Sequence, residues 1–183
     1  RRILDGTLRT ADVGVLKPSG RLFVNSVGVG FDAAVADRIN RRRRITRGLA
    51  AYLPAILAEV IRSRPLPARV TVAGKTIEGT WLLIAVANGN AYGAGFRIAP
   101  RAVVDDGLLD VVMVEHTSRI DILRSLMLAR QGRHENHPKV TMLQGKRIRI
   151  ETPEPAPALV DGDIRCETPL DIEVRPGALR LWT

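Results

Sequence analysis

The sequence predicts an α+β domain that is dominated by an antiparallel, sandwich-like β-sheet and covered by about three helices. Short segments rich in Val, Ile and Leu recur from residue 68 onward and are separated by Gly and Pro, a pattern typical of successive antiparallel strands. Three longer segments carry apolar residues at helical spacing instead. The chain has 183 residues, 45% of them hydrophobic, which suits a single domain over residues 1–183 with its own core.

The first third of the chain predicts a hairpin followed by two helices. Residues 12–17 and 21–29 flank a Pro-Ser-Gly turn and predict paired strands. The segments FDAAVADRINRRRR and RGLAAYLPAILAEVIRS predict the helices, and Pro54 marks a kink or a first turn in the second. The expected apolar stripe of the second helix consists of Leu49, Tyr52, Leu53, Ile56, Leu57, Val60 and Ile61.

The remaining two thirds predict mainly strands. ARVTVAG and KTIEGT meet at Gly74 as a hairpin, and WLLIAVAN and LLDVVMVE are apolar enough to be buried strands. Ser118 is a suitable N-cap for a third helix that ends at Gly132. Short strands should follow in VTML, KRIRIET, PALVDGD, PLDIEVR and ALRLWT.

The charge balance predicts an anionic partner. The chain has 28 Lys and Arg against 19 Asp and Glu, a net charge of +9, which suits nucleic acid, an anionic membrane or phosphorylated small molecules. Two Trp, two Tyr and three Phe are few for a platform that stacks single-stranded bases. The single cysteine, Cys166, excludes an internal disulfide framework. No apolar run reaches the ~20 residues of a membrane-spanning helix.

Two clusters allow both a functional and a structural interpretation. The arginine run 41–44 is either a solvated helix end or a contact for acidic lipid headgroups. His134 and His137 could ligate a metal, but a third histidine is not near them in the sequence, so a loop is the preferred interpretation.

Two acid-glycine turns, Asp105-Asp106-Gly107 and Asp161-Gly162-Asp163, lie beside apolar segments. Asp-Gly is common in turns, because Asp bonds its own backbone and Gly accepts positive φ. Clustered carboxylates also bind metal ions or accept protons from hydroxyls. Residue type alone leaves both interpretations open.

The order of segments narrows the choice. Three segments follow one another in the order NSVGVGFDAAV, WLLIAVANGNAYGAGFRIAPRAVVDDGLLDVVMV and GKRIRIETPEPAPALVDGDI. Together they resemble the C-terminal domain of the diacylglycerol kinase catalytic family. That family includes bacterial soluble lipid kinases and is similar in its core to sphingosine kinases. The resemblance runs from about residue 12 to about residue 181. It implies the C-terminal lobe of a two-lobed kinase, with the nucleotide-binding lobe on a part of the protein before this chain and residues 1–11 as an interlobe linker.

The resemblance also implies roles for the second turn. Asp161 corresponds to the family's late acidic motif and is the candidate general base that accepts the proton of the lipid hydroxyl. Asp163 stands where the family usually has Glu and is the candidate contact to the nucleotide. ATP is the implied phosphoryl donor, held mainly by the other lobe.

The first turn and the segment GFDAAV receive roles in the same way. Asp106, with the main-chain carbonyls of Val103 and Leu108, resembles the family's structural Mg²⁺ site, for which oxygen ligands are suitable. Asp32 matches a position that faces the substrate headgroup in related lipid kinases, although an acid in a first helical turn also stabilises the helix. Asn25, in the preceding NSVGVG segment, is assigned to the substrate with it.

These expectations favour an ATP-dependent lipid kinase that converts diacylglycerol to phosphatidic acid, cytoplasmic and peripherally associated with an anionic membrane, without a nucleic-acid partner. A kinase for a sphingoid or other lipid alcohol is an alternative within the same class. A non-catalytic basic module that binds membrane or nucleic acid is the alternative from another class. We expect the 183-residue chain alone to be inactive, and exposed strand edges favour pairing of two copies.

Overall fold

The computed structural model describes residues 6–41, 49–93 and 95–182. In these residues eleven strands form one sheet, and three α-helices and one short 3₁₀ turn, His134–Asn136, accompany it. The helices are α1 (Phe31–Arg41), α2 (Leu49–Arg62) and α3 (Arg119–Gln131). The strands are β1 (Leu8–Lys17), β2 (Arg21–Phe23), β3 (Ser26–Gly30), β4 (Leu66–Val72), β5 (Lys75–Ala87), β6 (Leu109–Glu115), β7 (Val140–Gly145), β8 (Arg147–Glu151), β9 (Pro157–Val160), β10 (Asp163–Glu167) and β11 (Leu170–Trp182).

The sheet is antiparallel and branches at its longest central strand. Its main path is β10-β9-β3-β5-β4-β8-β11-β1-β2, and β6 leaves this path to pair with β5 and β7. The first half of β5 pairs with β4, whereas its second half pairs with β3 on one side and β6 on the other. One strand therefore holds together two parts of the sheet that diverge from it.

Two apolar cores lie on opposite faces of β5. Ile84 and Val86 face a core enclosed by the curled sheet, while Leu83, Ala85 and Ala87 face a second core beneath the helices. This alternation is the period of two expected of a strand that is covered on both faces. The predicted buried strand and the predicted fold class, a mainly antiparallel sheet with three covering helices, are confirmed.

Local signals in the sequence explain where several elements begin and end. Ser118 accepts a hydrogen bond from the Asp121 N–H (3.2 Å) as the N-cap of α3, and Gly132 ends that helix with φ of 70°. Ala73 and Gly74 both have positive φ and join β4 to β5 in the predicted hairpin.

The predicted strands differ from the structure in three places. KTIEGT and WLLIAVAN form one continuous strand, β5. PLDIEVR and ALRLWT form one continuous strand, β11, which pairs along nearly all of β1, with a register shift between Ala11 and Val13. The predicted strand 21–29 is divided into β2 and β3 at Val24 and Asn25, because the main-chain N–H groups there bond to a side chain instead of a neighbouring strand.

The predicted stripe of α2 is only half buried. Ile56 and Val60 pack into the core under the helices, whereas Leu53, Leu57 and Ile61 remain exposed. The side chains of Leu49 and Tyr52 lie outside the part of the chain that is described.

Candidate functional site

A cavity of about 230 Å³ lies between the three helices and one end of the sheet. Most of its wall is apolar and includes Phe31, Val35, Ile56, Leu83, Phe96 and Leu126. Its polar lining includes Asn25, Asp32, Tyr92 and Asp161. Three of the predicted site residues, Asn25, Asp32 and Asp161, therefore line one cavity, although Asp161 is more than a hundred residues from the other two.

The Asp161 carboxylate bonds to the main chain between β2 and β3. Its Oδ2 accepts the N–H of Val24 (2.8 Å), and its Oδ1 accepts the N–H groups of Asn25 and Ser26 (both 2.9 Å). Asp161 itself has φ of 47°, in the left-handed region that Asp tolerates better than most residues. The residue is exposed, so its carboxylate joins two strands and remains accessible from solvent.

Asn25 connects this turn to the glycine-rich loop at residues 88–95. Its main-chain carbonyl accepts the N–H of Asn88 (2.8 Å), and its side-chain Nδ2 donates to the carbonyl of Ala91 (3.3 Å). A Cβ atom on Gly89 would lie 2.1 Å from the Asn25 side chain, so glycine is required for this close approach. The loop is thereby fixed against the mouth of the cavity.

Asp32 lies in the first turn of α1 and lines the cavity, where it pairs with Tyr92. The Tyr92 hydroxyl donates to Asp32 Oδ2 (3.0 Å), and the N–H of Ala33 donates to Oδ1 (2.8 Å). Burial raises the pKa of Asp32 to about 6, although both hydrogen bonds oppose the increase. Burial and the neighbouring carboxylate raise the pKa of Tyr92 well above its ordinary value. A Cβ atom on Gly28 would lie 1.7 Å from the Asp32 carboxylate, so this pair also depends on a glycine.

Asp163 lies outside the cavity, on the exposed start of β10. Its carboxylate forms an ion pair with Arg165, and the carbonyl of Arg165 accepts a hydrogen bond from Arg21 Nη1 (3.1 Å). These three residues and Asp161 line a polar depression on the surface. Asp161 therefore borders both the apolar cavity and a depression that contains two arginines.

The other acid-glycine turn is built differently. Asp106 is exposed, and its Oδ1 accepts the N–H of Leu108, two residues away (2.9 Å). The loop is held in place by Asp12, a buried residue of β1 whose two carboxylate oxygens accept the N–H groups of Gly107 (2.6 Å) and Gly177 (2.7 Å). Asp12 was not among the residues predicted from the sequence, yet a single acid in the apolar run ADVGVL is an indication of a buried, hydrogen-bonded carboxylate.

The donor types around Asp106 suit a hard cation. The Asp106 carboxylate and the nearby main-chain carbonyls offer the oxygen ligands that Mg²⁺ prefers. Asp110 adds a second acid, and burial raises the pKa of its carboxyl; the hydrogen bond from Gln144 opposes the increase, and the negative charge of Asp106 adds to it. Within the described ranges, however, no group of three His, Cys, Asp or Glu side chains is arranged to bind a metal.

The remaining polar candidates have structural surroundings. His134 is buried with its Nε2 2.9 Å from the carbonyl of Ile98, and burial lowers the pKa of its ring. The arginine run 41–44 lies outside the residues whose side chains are described. In the described part of the chain, no helix is both long and apolar enough to cross a bilayer.

Two further residues of the site were missed at the level of sequence. Tyr92 is the hydrogen-bond partner of Asp32, and Asn88 is a buried residue whose Nδ2 donates to the carbonyls of Asp12 and Val24 (both 2.9 Å). Both belong to the glycine-rich loop NGNAYGAG, to whose side chains no role was assigned from the sequence. Asn88 therefore links Val24, which donates to Asp161, to Asp12, which holds the other acidic turn.

Comparison with known proteins identifies relatives of this architecture. The chain is 34% identical over 183 residues to a diacylglycerol kinase of Mycobacterium tuberculosis (strain CDC 1551 / Oshkosh), covering 98% of this chain and 59% of that protein. It is 22% identical over 161 residues to a diacylglycerol kinase of Bacillus subtilis (strain 168), covering 88% and 52%. The chain thus spans little more than half the length of these relatives.

The fold has a match among solved structures. A crystal structure of a diacylglycerol kinase from Bacillus anthracis str. Sterne aligns with a TM-score of 0.66 at 21% identity, covering 95% of this chain and 53% of that one. The YegS C-terminal NAD kinase beta sandwich-like domain matches residues 25–183. The chain therefore belongs to the family of the YegS C-terminal NAD kinase beta sandwich-like domain, as its resemblance to diacylglycerol kinases had predicted.

Proposed function

We propose that this chain is the lipid-binding and catalytic lobe of an ATP-dependent kinase that phosphorylates a lipid hydroxyl, with diacylglycerol as the substrate and phosphatidic acid as the product. The observation that carries the proposal is the apolar cavity with carboxylates at its polar end. The names of the relatives in M. tuberculosis and B. subtilis support the choice of diacylglycerol.

The cavity has the chemical properties of a site for an amphiphile. Its apolar wall suits acyl chains, which gain free energy by leaving water. The pair of Asp32 and Tyr92 presents one carboxylate and one hydroxyl to a glycerol headgroup. Asn25 lines the same cavity and completes the proposed substrate contacts.

Asp161 is the proposed general base. A carboxylate has about four acceptor sites, and the three bonds from Val24, Asn25 and Ser26 leave about one of them for a lipid hydroxyl. The hydroxyl oxygen forms a bond to the γ-phosphorus of ATP, the bond between that phosphorus and the ADP oxygen breaks, and the hydroxyl proton passes to Asp161. The bonds from the main chain fix the carboxylate in position for that transfer.

Asp163 and the Asp106 turn have proposed supporting roles. Asp163, with Arg165 and Arg21 beside it, would face the phosphates of the nucleotide, because arginines bind phosphate well. Asp106, with the carbonyls of Val103 and Leu108, would hold Mg²⁺. When bound there, the ion would stabilise the loop electrostatically.

The length of the relatives indicates where the nucleotide-binding lobe lies. The relatives are longer than this chain, and we assign the nucleotide-binding lobe to the part of them that it does not span. The predicted linker 1–11 overlaps β1, because Leu8 to Ala11 pair with β11, so we place the connection before Leu8. Cytoplasmic location, peripheral association with an anionic membrane and a homodimer remain proposals for the whole protein.

Phosphoryl transfer by the full-length protein tests the proposal. Radiolabelled ATP should label diacylglycerol, and Asp161→Asn should lower kcat by ~10²–10⁴-fold, the usual contribution of a general base. Asp105→Asn is the matched control, since it makes the same change in the other acidic turn and should leave kcat unchanged. Failure to label any lipid alcohol, or near-normal turnover by Asp161→Asn, would contradict the proposal.

A further inference from the structure

The outer faces of α2 and α3 carry rows of exposed apolar side chains. On each helix the row follows the three- and four-residue spacing that places side chains on one face. The members are between 38% and 68% exposed, and apolar side chains grouped in this way, unlike scattered ones, are typical of interaction surfaces. They are Leu53, Leu57 and Ile61 on α2 and Ile120, Leu123 and Met127 on α3.

The two rows belong to neighbouring helices that also form the cavity. Arg119, at the start of α3, donates from Nη2 to the carbonyl of Ile61 near the end of α2 (3.0 Å). Ile56 of α2 and Leu126 of α3 both line the cavity. Each helix therefore contributes side chains to the cavity and presents a separate apolar row to solvent.

Basic residues accompany both rows. Residues 49–64 and 119–133 contain six arginines and two acids, which gives these segments a net charge of +4. Of the acids, Glu59 is buried and paired with Arg38, and Asp121 accepts a hydrogen bond from the Ser118 hydroxyl and forms an ion pair with Arg124 at 3.5 Å. Arg62, Arg64 and Arg124 are exposed, so the surface around the rows is positively charged.

We propose that this helical face, defined by the rows 53/57/61 and 120/123/127, docks on an anionic bilayer. The apolar side chains enter the boundary between headgroups and acyl chains, and the arginines bind the anionic headgroups. The occupant is a lipid surface because apolar rows bordered by arginine complement its apolar interior and its negative charge. This inference rests on the proposed lipid substrate, since it places the cavity beside the membrane from which that lipid would come.

Binding of the full-length protein to vesicles tests the face directly. The vesicles contain equal parts phosphatidylglycerol and phosphatidylcholine, and binding is measured by co-sedimentation. The double variant Leu57→Gln/Ile61→Gln should bind about tenfold more weakly or worse, because two side chains no longer gain by leaving water. Leu8→Gln/Leu181→Gln, which changes two exposed leucines on β1 and β11, is the matched control and should bind normally.

The charged part of the face has its own test. Replacing Arg62, Arg64 and Arg124 with Gln should weaken binding by up to about fivefold per residue and reduce its dependence on salt. Replacing the exposed residues Lys75, Arg147 and Arg180 is the control of equal charge and should have a smaller effect.

The second apolar pair, Ile120→Gln/Met127→Gln, repeats the test of the apolar rows on α3 if the Leu57→Gln/Ile61→Gln variant does not fold.

Activity toward two forms of the substrate separates docking from catalysis. The apolar variants should lose activity toward diacylglycerol embedded in vesicles but keep wild-type kcat/KM for a monomeric short-chain diacylglycerol. If the wild-type protein phosphorylates neither form, the proposed function fails, and vesicle binding still decides the docking face.

Two results would overturn the docking face. One is vesicle binding that is unchanged in both apolar pairs. The other is that the apolar variants no longer self-associate in analytical ultracentrifugation but still bind vesicles, since that would assign the face to a second copy of the protein.

Discussion

The two acid-glycine turns contain the same residue types, but their carboxylates contact different parts of the chain. Asp161 accepts three main-chain N–H groups from the connection between β2 and β3, more than a hundred residues earlier in the sequence. Asp106 bonds within its own turn, and the buried Asp12 holds that loop from β1. An acidic turn therefore joins distant segments only where another part of the chain offers unpaired N–H groups to it.

The difference also separates the proposed roles. Asp161 reaches the cavity and the depression that contains Arg21 and Arg165, so its position suits chemistry at the junction of lipid and nucleotide. Asp106 lies away from the cavity lining and suits the organisation of a loop. The buried Asn88 connects the two turns, because its side chain donates to the carbonyls of Asp12 and Val24. Asp12 holds the Asp106 turn, and Val24 donates to Asp161.

The largest effect on stability should come from Asp12. Asp12→Ala would leave the N–H groups of Gly107 and Gly177 without their acceptor and should lower the free energy of unfolding by about 3 kcal/mol. Asp12→Asn, which keeps one acceptor oxygen, should lose about half as much. Urea unfolding measures both, with Asp105→Ala as the surface control. A loss below about 0.5 kcal/mol, the size of an ordinary surface change, would show that Asp12 does not anchor the loop.

A smaller loss should follow removal of the Asp161 carboxylate. Asp161→Ala should cost about 2 kcal/mol, since its three donors are partly exposed and can bond to water in its absence. These hydrogen bonds indicate a structural role for Asp161 in addition to its proposed catalytic role. Equal stability of Asp161→Ala and the wild type in urea would contradict the hydrogen bonds described for this turn.

The pH dependence of stability should reveal the Asp32 carboxyl. Its pKa in the folded protein, about 6, lies above its ordinary value of 3.8, so the native state holds this proton more tightly than the unfolded chain. This stabilisation is fully present below pH 3.8 and is lost as the pH rises to about 6; it amounts to about 3 kcal/mol. Asp32→Asn should flatten that part of the curve. The same slope in the wild type and the variant would contradict the assignment.

The smallest effect belongs to Asp106. Without a divalent ion, Asp106→Ala should lower the free energy of unfolding by about 0.5 kcal/mol, because the side chain is exposed and bonds only within its turn. Added Mg²⁺ should raise the melting temperature of the wild type and of Asp105→Ala, but not of Asp106→Ala. If Mg²⁺ raises all three melting temperatures equally, or raises none of them, the ion does not bind at Asp106.

Patterns with a local physical cause were predictable from the sequence. The cap at Ser118, the end of α3 at Gly132 and the hairpin at Gly74 each depend on one or two residues and their own backbone. The continuous apolar run WLLIAVAN also identified the second half of β5 as buried. The fold class follows from many such local signals that agree.

Features that depend on distant partners were not predictable in the same way. Nothing in the sequence near Val24 shows that Asp161 takes its N–H group and interrupts the strand. The exposed half of the α2 stripe has the same residue types as the buried half, and only the packing of the sheet distinguishes them. The pairing of Asp32 with Tyr92 likewise joins residues that are 60 positions apart.

The most direct test of the account is to identify where a lipid binds. A monomeric short-chain diacylglycerol with a photoreactive acyl chain would be cross-linked to the full-length protein without vesicles, and the labelled residues would be identified by mass spectrometry. We expect the label on cavity residues such as Val35, Ile56 and Leu126, and we expect excess unlabelled lipid to reduce this labelling. Labels confined to the surface outside the cavity, or labels that competition does not reduce, would contradict it.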